Sequence, residues 1–145
     1  MKVVVQRVSE AAVRVDGEVV GAIGSGLLLL VGICQHDDTA AVTRMATRIL
    51  GYRLFSDEQG KMNLDVRQAG GQVLAVSQFT LSADTGRGRR PSFTRCAAPA
   101  LAQPLYQQFI AALQQGGVAV ERGVFGADMQ VSLVNDGPVT FVLES

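Results

Sequence analysis

The chain has 145 residues, 48% of them hydrophobic and 18% charged, with 13 Lys and Arg against 13 Asp and Glu. That length and apolar content suit one ordinary domain with a continuous core, and the balance excludes a disordered or supercharged protein. A zero net charge does not advertise nucleic acid, so any RNA partner would have to be met by a local basic patch.

The opening Met1-Lys2-Val3-Val4-Val5-Gln6-Arg7 carries charge inside its apolar run and no small-residue cleavage site, unlike a secretory signal. A cytoplasmic location is therefore expected. Val3 to Val8 and Ala11 to Val15 are rich in β-branched residues, and Asp16-Gly17 is a strong two-residue hairpin signal leading into Glu18 to Ile23. The first third thus reads as a β-meander. The longest apolar run, Gly26 to Cys34, is about half what a membrane helix needs and fits a buried strand.

Asp37-Asp38-Thr39 then offers N-cap chemistry, and Val42, Met45, Ala46, Ile49 and Leu50 recur at helical spacing until Gly51. Tyr52 to Phe55 and Met62 to Leu64 flank a polar turn and predict a short hairpin, and Val73 to Val76 predicts a central strand. A second helix is expected over about Pro99 to Gln115, with Leu101, Leu105, Phe109, Ile110 and Leu113 on one face and Gly116-Gly117 ending it. Val118 to Glu121, Met129 to Val134 and Val139 to Leu143 read as strands, the last two separated by a turn at Asn135-Asp136-Gly137-Pro138. The expected fold is a single α+β domain over residues 1–145, a mostly antiparallel sheet or open β-barrel with two main helices, and not a βαβ alternation.

Familiar hydrolytic constellations are absent: there is no Gly-x-Ser-x-Gly elbow, no HExxH and no P-loop. His36 is the only imidazole, so a Ser-His-Asp triad would have to run through it, whereas its place between strand and helix suits a solvated or capping role. Cys34 and Cys96 form no CxxC pattern and read as structural, and with one His they leave too few ligands for a closed zinc site. No metal or cofactor is expected.

Two polar segments stand at predicted strand ends: Ser77-Gln78-Phe79-Thr80-Leu81 and Asn135-Asp136-Gly137-Pro138-Val139-Thr140. Groups there project from a rigid frame, although a strand with alternating faces and an ordinary Gly-Pro turn would also account for them. This pair, at this spacing, resembles the two signature motifs of the D-aminoacyl-tRNA deacylase family. Met1 to Val8, Lys61-Met62-Asn63-Leu64-Asp65-Val66 and Gly123 to Met129 are similar to that family as well, so the resemblance covers the whole chain.

The resemblance implies hydrolysis of the ester of D-aminoacyl-tRNA, and of glycyl-tRNA mischarged on tRNA-Ala, with tRNA as partner. It also implies a homodimer in which a cis Gly137-Pro138 peptide enters the partner subunit's active site and excludes the side chain of an L-amino acid; cis peptides are essentially confined to X-Pro bonds. Arg7 is carried over as the residue that braces this turn, its alternative being a strand-end surface charge. Ser77, Gln78, Phe79 and Thr80 would hold the ester and stabilise its oxyanion, with the 2′-hydroxyl of the terminal adenosine assisting hydrolysis, because the motif that carries Thr80 contains no base to activate it. Phe125 and Met129 either line the adenosine pocket or belong to the core. Arg87, Arg89 and Arg90, in the one dense basic stretch, either contact acceptor-stem phosphates or lie in a solvated loop. The readings that compete are a non-catalytic RNA-binding module on the same fold and a general metal-free esterase.

Overall fold

The computed structural model describes residues 1–145. It opens with β1 (Lys2–Val15), β2 (Glu18–Ile23) and β3 (Gly26–Gly32). Asp16 and Gly17 both adopt positive φ, 49° and 82°, the combination that a type I′ hairpin requires, and Val15 pairs with Glu18 across the turn. β3 does not continue a meander beside β2. It pairs with the first half of β1 (Lys2↔Gly32 to Val8↔Gly26), whereas β2 pairs with the second half (Ala11↔Ile23 to Val15↔Glu18).

Helix α1 (Thr39–Gly51) starts where Asp38 accepts a hydrogen bond from Ala41 N–H at 2.7 Å, and it buries Val42, Met45, Ala46, Ile49 and Leu50 as its spacing predicts. A small hairpin, β4 (Phe55–Ser56) with β5 (Met62–Leu64), leads to β6 (Gln72–Ser77), then a 3₁₀ turn over Phe79–Ser82. Helix α2 (Pro99–Gln115), β7 (Val120–Arg122) and β8 (Gln130–Glu144) complete the chain. α2 buries Ala102, Leu105, Tyr106, Phe109, Ile110 and Leu113. Leu101, expected on that face, is exposed because the stripe passes one residue later, through Ala102 and Tyr106.

The sheet is mixed rather than mostly antiparallel. β1 is antiparallel to β2, β3 and β8, but β3–β6 and β6–β7 are parallel, with α1 and α2 in the respective connections. Two β-α-β crossovers are therefore present, as parallel neighbours require. β7 returns against β2, so the sheet curls into a nearly closed barrel.

Alternation sorts the side chains of the central strands between two cores. Leu27, Leu29, Val31, Val73 and Ala75 face the helices, with Phe109, Ile49 and Leu113. Leu28, Leu74 and Val76 point the other way, with Val8, Val13 and Ile23, and Val131 and Leu133 of β8 pack on that cluster. Burial on both faces explains why β3 is uninterrupted leucine and not an apolar–polar alternation. Each fully buried Leu or Val contributes about 1.5–3 kcal/mol, so these strands form a rigid frame for the loops at their ends.

β8 is one strand, not two strands about a turn. Gln6 pairs with Thr140 and Val8 with Asn135, so β8 advances five positions where β1 advances two. The surplus chain is extruded sideways as Asp136-Gly137-Pro138-Val139, an enlarged bulge in an otherwise continuous ladder. The far edge of β8 has no partner strand, and Val134, Phe141 and Val142 are exposed along it.

Candidate active site

The main cleft opens where the parallel strands β3 and β6 end side by side, Val31 paired with Ser77. Its volume is about 470 Å³, and 11 of its 15 lining residues are hydrophobic. Ser77, Gln78 and Phe79 form one wall, Tyr106 and Ala102 of α2 another, and Phe125, Met129 and Val131 a third. Five of the residues singled out in the sequence thus meet in one place.

The chain turns sharply after β6. Gln78 N–H donates to the Val31 carbonyl at 2.7 Å, and the first internal bond of the 3₁₀ turn is Leu81 N–H to the Gln78 carbonyl at 3.2 Å. The amides of Phe79 and Thr80 precede that bond and take no part in it. Thr80 is exposed at the rim, where the Gln78 side-chain amide donates to its hydroxyl. Phe79 is 58% exposed, its ring 5.3 Å from that of Phe93. No His, Lys, Asp or Glu lines the cleft, so it offers neutral donors and apolar walls.

Tyr106 was not singled out in the sequence, being one more apolar position of a helix. Its hydroxyl donates to the Ala75 carbonyl at 2.9 Å, and its ring lies 5.8 Å from that of Phe125. Burial pushes its pKa up to about 12, against a smaller lowering by Arg122, so it is a fixed neutral donor. Met129 reaches the cleft because Gly123 has no side chain: a Cβ there would stand 2.5 Å from the Met129 sulfur.

Gly137, Pro138 and Arg7 lie elsewhere and do not line this cleft. The Gly137–Pro138 peptide is cis, and both residues are exposed at the tip of the extrusion. Asn135 holds its neck, donating from Nδ2 to Thr140 Oγ1 at 2.8 Å and accepting Val139 N–H on Oδ1 at 2.8 Å. Arg7 is the β1 residue opposite the gap between the two halves of the ladder. Its Nε donates to the Asp136 carbonyl at 3.0 Å and its Nη1 to the Leu54 carbonyl at 2.7 Å.

Arg87, Arg89 and Arg90 are exposed on the loop between Asp84 and Ser92, which pair as an isolated bridge, and they do not line the cleft. His36 is exposed in a separate polar recess with Asp37, Asp38 and Arg44. No helix is long and apolar enough to cross a membrane.

Fold and cleft together describe a small α+β protein whose main cleft is apolar, uncharged and built at the ends of parallel strands. Residues 4–144 match the D-Tyr-tRNA(Tyr) deacylase family, and the chain belongs to that family. It is 65% identical over 144 residues to a D-aminoacyl-tRNA deacylase of Alcanivorax borkumensis, covering 99% of both chains. With the D-aminoacyl-tRNA deacylase of Pectobacterium carotovorum it shares 57% identity over the full length of each. Among solved structures, one titled c-Myc DNA Unwinding Element Binding Protein superposes with a TM-score of 0.94 at 40% identity, covering 100% of this chain and 99% of that one. A probable eukaryotic D-amino acid tRNA deacylase shares the fold, with a TM-score of 0.83 at 16% identity over 98% of this chain and 97% of its own.

Proposed function

We propose that this protein is a D-aminoacyl-tRNA deacylase, a hydrolase that cleaves the ester between a D-amino acid and the terminal ribose of tRNA, releasing both. The observation that carries this reading is the position of Ser77, Gln78 and Phe79 on the wall of an apolar cleft in a chain of this family. Phe125 and Met129, on the opposite wall, suit a nucleobase held out of its stack.

The chemistry asked of the site is positioning and oxyanion stabilisation. Water attacks the ester carbonyl, the carbon–oxygen bond to the ribose breaks, and the ribose oxygen leaves with a proton. The neighbouring ribose hydroxyl assists, because the cleft holds no titrating base. The Phe79 and Thr80 amides and the Ser77 and Gln78 side chains face the developing negative charge. This scheme requires no metal.

Chirality is read by exclusion. The Gly137–Pro138 tip, exposed and outside the cleft of its own chain, enters the cleft of a second copy and occupies the space of an L side chain. Glycine, with no side chain to exclude, is accepted from glycyl-tRNA, including tRNA-Ala mischarged with glycine. A homodimer is favoured by the unpartnered edge of β8 and its exposed Val134, Phe141 and Val142. Arg87, Arg89 and Arg90 meet acceptor-stem phosphates.

A rival reading, a nucleic-acid-binding module without turnover, draws on the name of the 40% identical structure. Release of amino acid from D-tyrosyl-tRNA and L-tyrosyl-tRNA, with a chelator present throughout, separates the two. Rapid loss of the D ester alone supports the deacylase. Binding of tRNA without hydrolysis of either ester would favour the rival.

A further inference from the structure

Cys34 follows β3 and Cys96 precedes α2, and the two face each other in an isolated antiparallel bridge. The flanking bonds, Gln35 N–H to the Arg95 carbonyl at 3.2 Å and Ala97 N–H to the Ile33 carbonyl at 3.1 Å, make this a non-hydrogen-bonded pair. Such pairs bring Cα atoms to about 4.5 Å and set both side chains on one face. A disulfide needs Cα atoms about 4.4–6.8 Å apart, so the backbone already stands within bonding reach.

Both cysteines are free and half-buried. Each thiol instead contacts the 3₁₀ turn that carries Phe79 and Thr80: Cys96 donates to the Phe79 carbonyl at 3.3 Å, and the Cys34 sulfur lies 3.2 Å from the hydroxyl of buried Ser82. The flanking residues Ile33 and Ala97 line the cleft itself. Joining the sulfurs removes the donor from the Phe79 carbonyl and ties the end of the basic loop to the end of β3.

We propose that Cys34 and Cys96 are a site of reversible oxidation, cross-linked by exchange with a low-molecular-weight disulfide, and that the cross-link slows the reaction at the adjacent cleft. In the first step the Cys34 thiolate attacks one sulfur of the small disulfide, forming a mixed disulfide and releasing one small thiol. In the second, the Cys96 thiolate attacks the Cys34 sulfur and releases the other, and the two cysteine protons end on the two released thiols. Burial, and Cys34 beside it, push the Cys96 thiol up, so less of it is thiolate, and the step left to it is the second one, where the target sulfur already lies within reach. A transient disulfide of this kind is the form such bonds usually take in a reducing compartment.

The rate effect rests on the deacylase reading, whereas the cross-link does not. The protein is titrated with oxidised glutathione, digested without reductant and mapped by mass spectrometry, and D-tyrosyl-tRNA hydrolysis is followed in parallel. The expected result is a Cys34–Cys96 peptide within one chain and a rate lowered about fivefold, the scale of one lost hydrogen bond. Dithiothreitol restores the rate, neither Cys34→Ser nor Cys96→Ser forms the link, and Cys96→Ser, which can take only the first step, stops at a glutathione adduct on Cys34. In the parent protein, a persistent glutathione adduct on one cysteine, or a link between two chains, overturns the proposal. A mapped internal link with an unchanged rate overturns its regulatory half. If the reduced protein never hydrolyses the D ester, the deacylase reading fails while the peptide map still decides the cross-link.

Discussion

Arg7 holds the main chain of Asp136: its Nε donates to the Asp136 carbonyl at 3.0 Å, and its other arm is anchored on the Leu54 carbonyl. The side chain is only 13% exposed, so the two bonds sit in a partly desolvated place. Arg7→Ala is expected to cost about 1–3 kcal/mol of stability and to weaken discrimination between D and L esters, measured by denaturant melts and paired deacylation assays. Arg7→Lys should rescue little, because a single ammonium cannot span both carbonyls as the guanidinium fork does. Full activity and selectivity in Arg7→Ala would show that the tip needs no brace.

Gly137 has φ of +138°, and a Cβ there would lie 2.7 Å from Val139 Cγ2 and 3.0 Å from Arg7 Nη2. Gly137→Ala must therefore shift the tip. Since the tip is exposed and neither Gly137 nor Pro138 belongs to a core, stability should fall by only about 1–3 kcal/mol, while kcat/KM on D-tyrosyl-tRNA falls at least about tenfold. Equal losses in the melt and the assay would instead point to general unfolding.

Thr80 is exposed, with the Gln78 amide as its hydrogen-bond partner, and the adjoining cleft has no His, Lys, Asp or Glu in its lining. Thr80→Ala should keep kcat within about tenfold of the parent, the scale of one hydrogen bond lost in the transition state. A fall of several orders of magnitude, with folding and tRNA binding intact, would instead revive a chemical role for the hydroxyl.

Arg89 and Arg90 sit in an exposed loop with no ion-pair partner. Replacing both by Gln should weaken all tRNAs alike and reduce the salt dependence of binding by about two counterions. An unchanged salt slope would remove the loop from the tRNA interface.

Tyr106 links protonation to stability. Its folded pKa of about 12 lies above the ordinary value of 10, so its contribution is fully present below pH 10 and is lost as pH rises through 12. The loss amounts to about 2–3 kcal/mol. Thermal melts between pH 9 and 12 should therefore show a steeper decline than the same series on Tyr106→Phe, which has no proton to lose. Parallel curves would mean that other groups set the alkaline limit.

Much of this fold was legible because its helices and its hairpin announce themselves locally. The 3.6-residue spacing of Val42 to Leu50 fixes the buried face of α1, and Asp16-Gly17 fixes the first turn. Strand direction was not legible: a buried run such as Leu27 to Val31 pairs equally well either way, and only the crossovers through α1 and α2 make β3–β6 and β6–β7 parallel. Gly137-Pro138 reads as a reversal because both residues commonly end strands, whereas here Asn135 and Thr140 rejoin the ladder beyond them. At the cleft, Ser77 to Phe79 were visible as a motif, but Tyr106 was hidden within a helical stripe. Its role depends on a contact with Ala75 across 31 residues of sequence.

The extruded segment of β8 separates two jobs that a strand usually combines. Register downstream of the tip is set by Leu143, buried opposite Val3, and upstream by Val131 and Leu133 on the inner core. The four residues between Asn135 and Thr140 answer to neither. Their composition is thus free to vary without sliding the sheet, provided the Asn135 side chain still closes the neck. What looks like an interruption is a socket: a short insert whose own shape is held by Arg7 and Asn135, while the register of the sheet is held elsewhere.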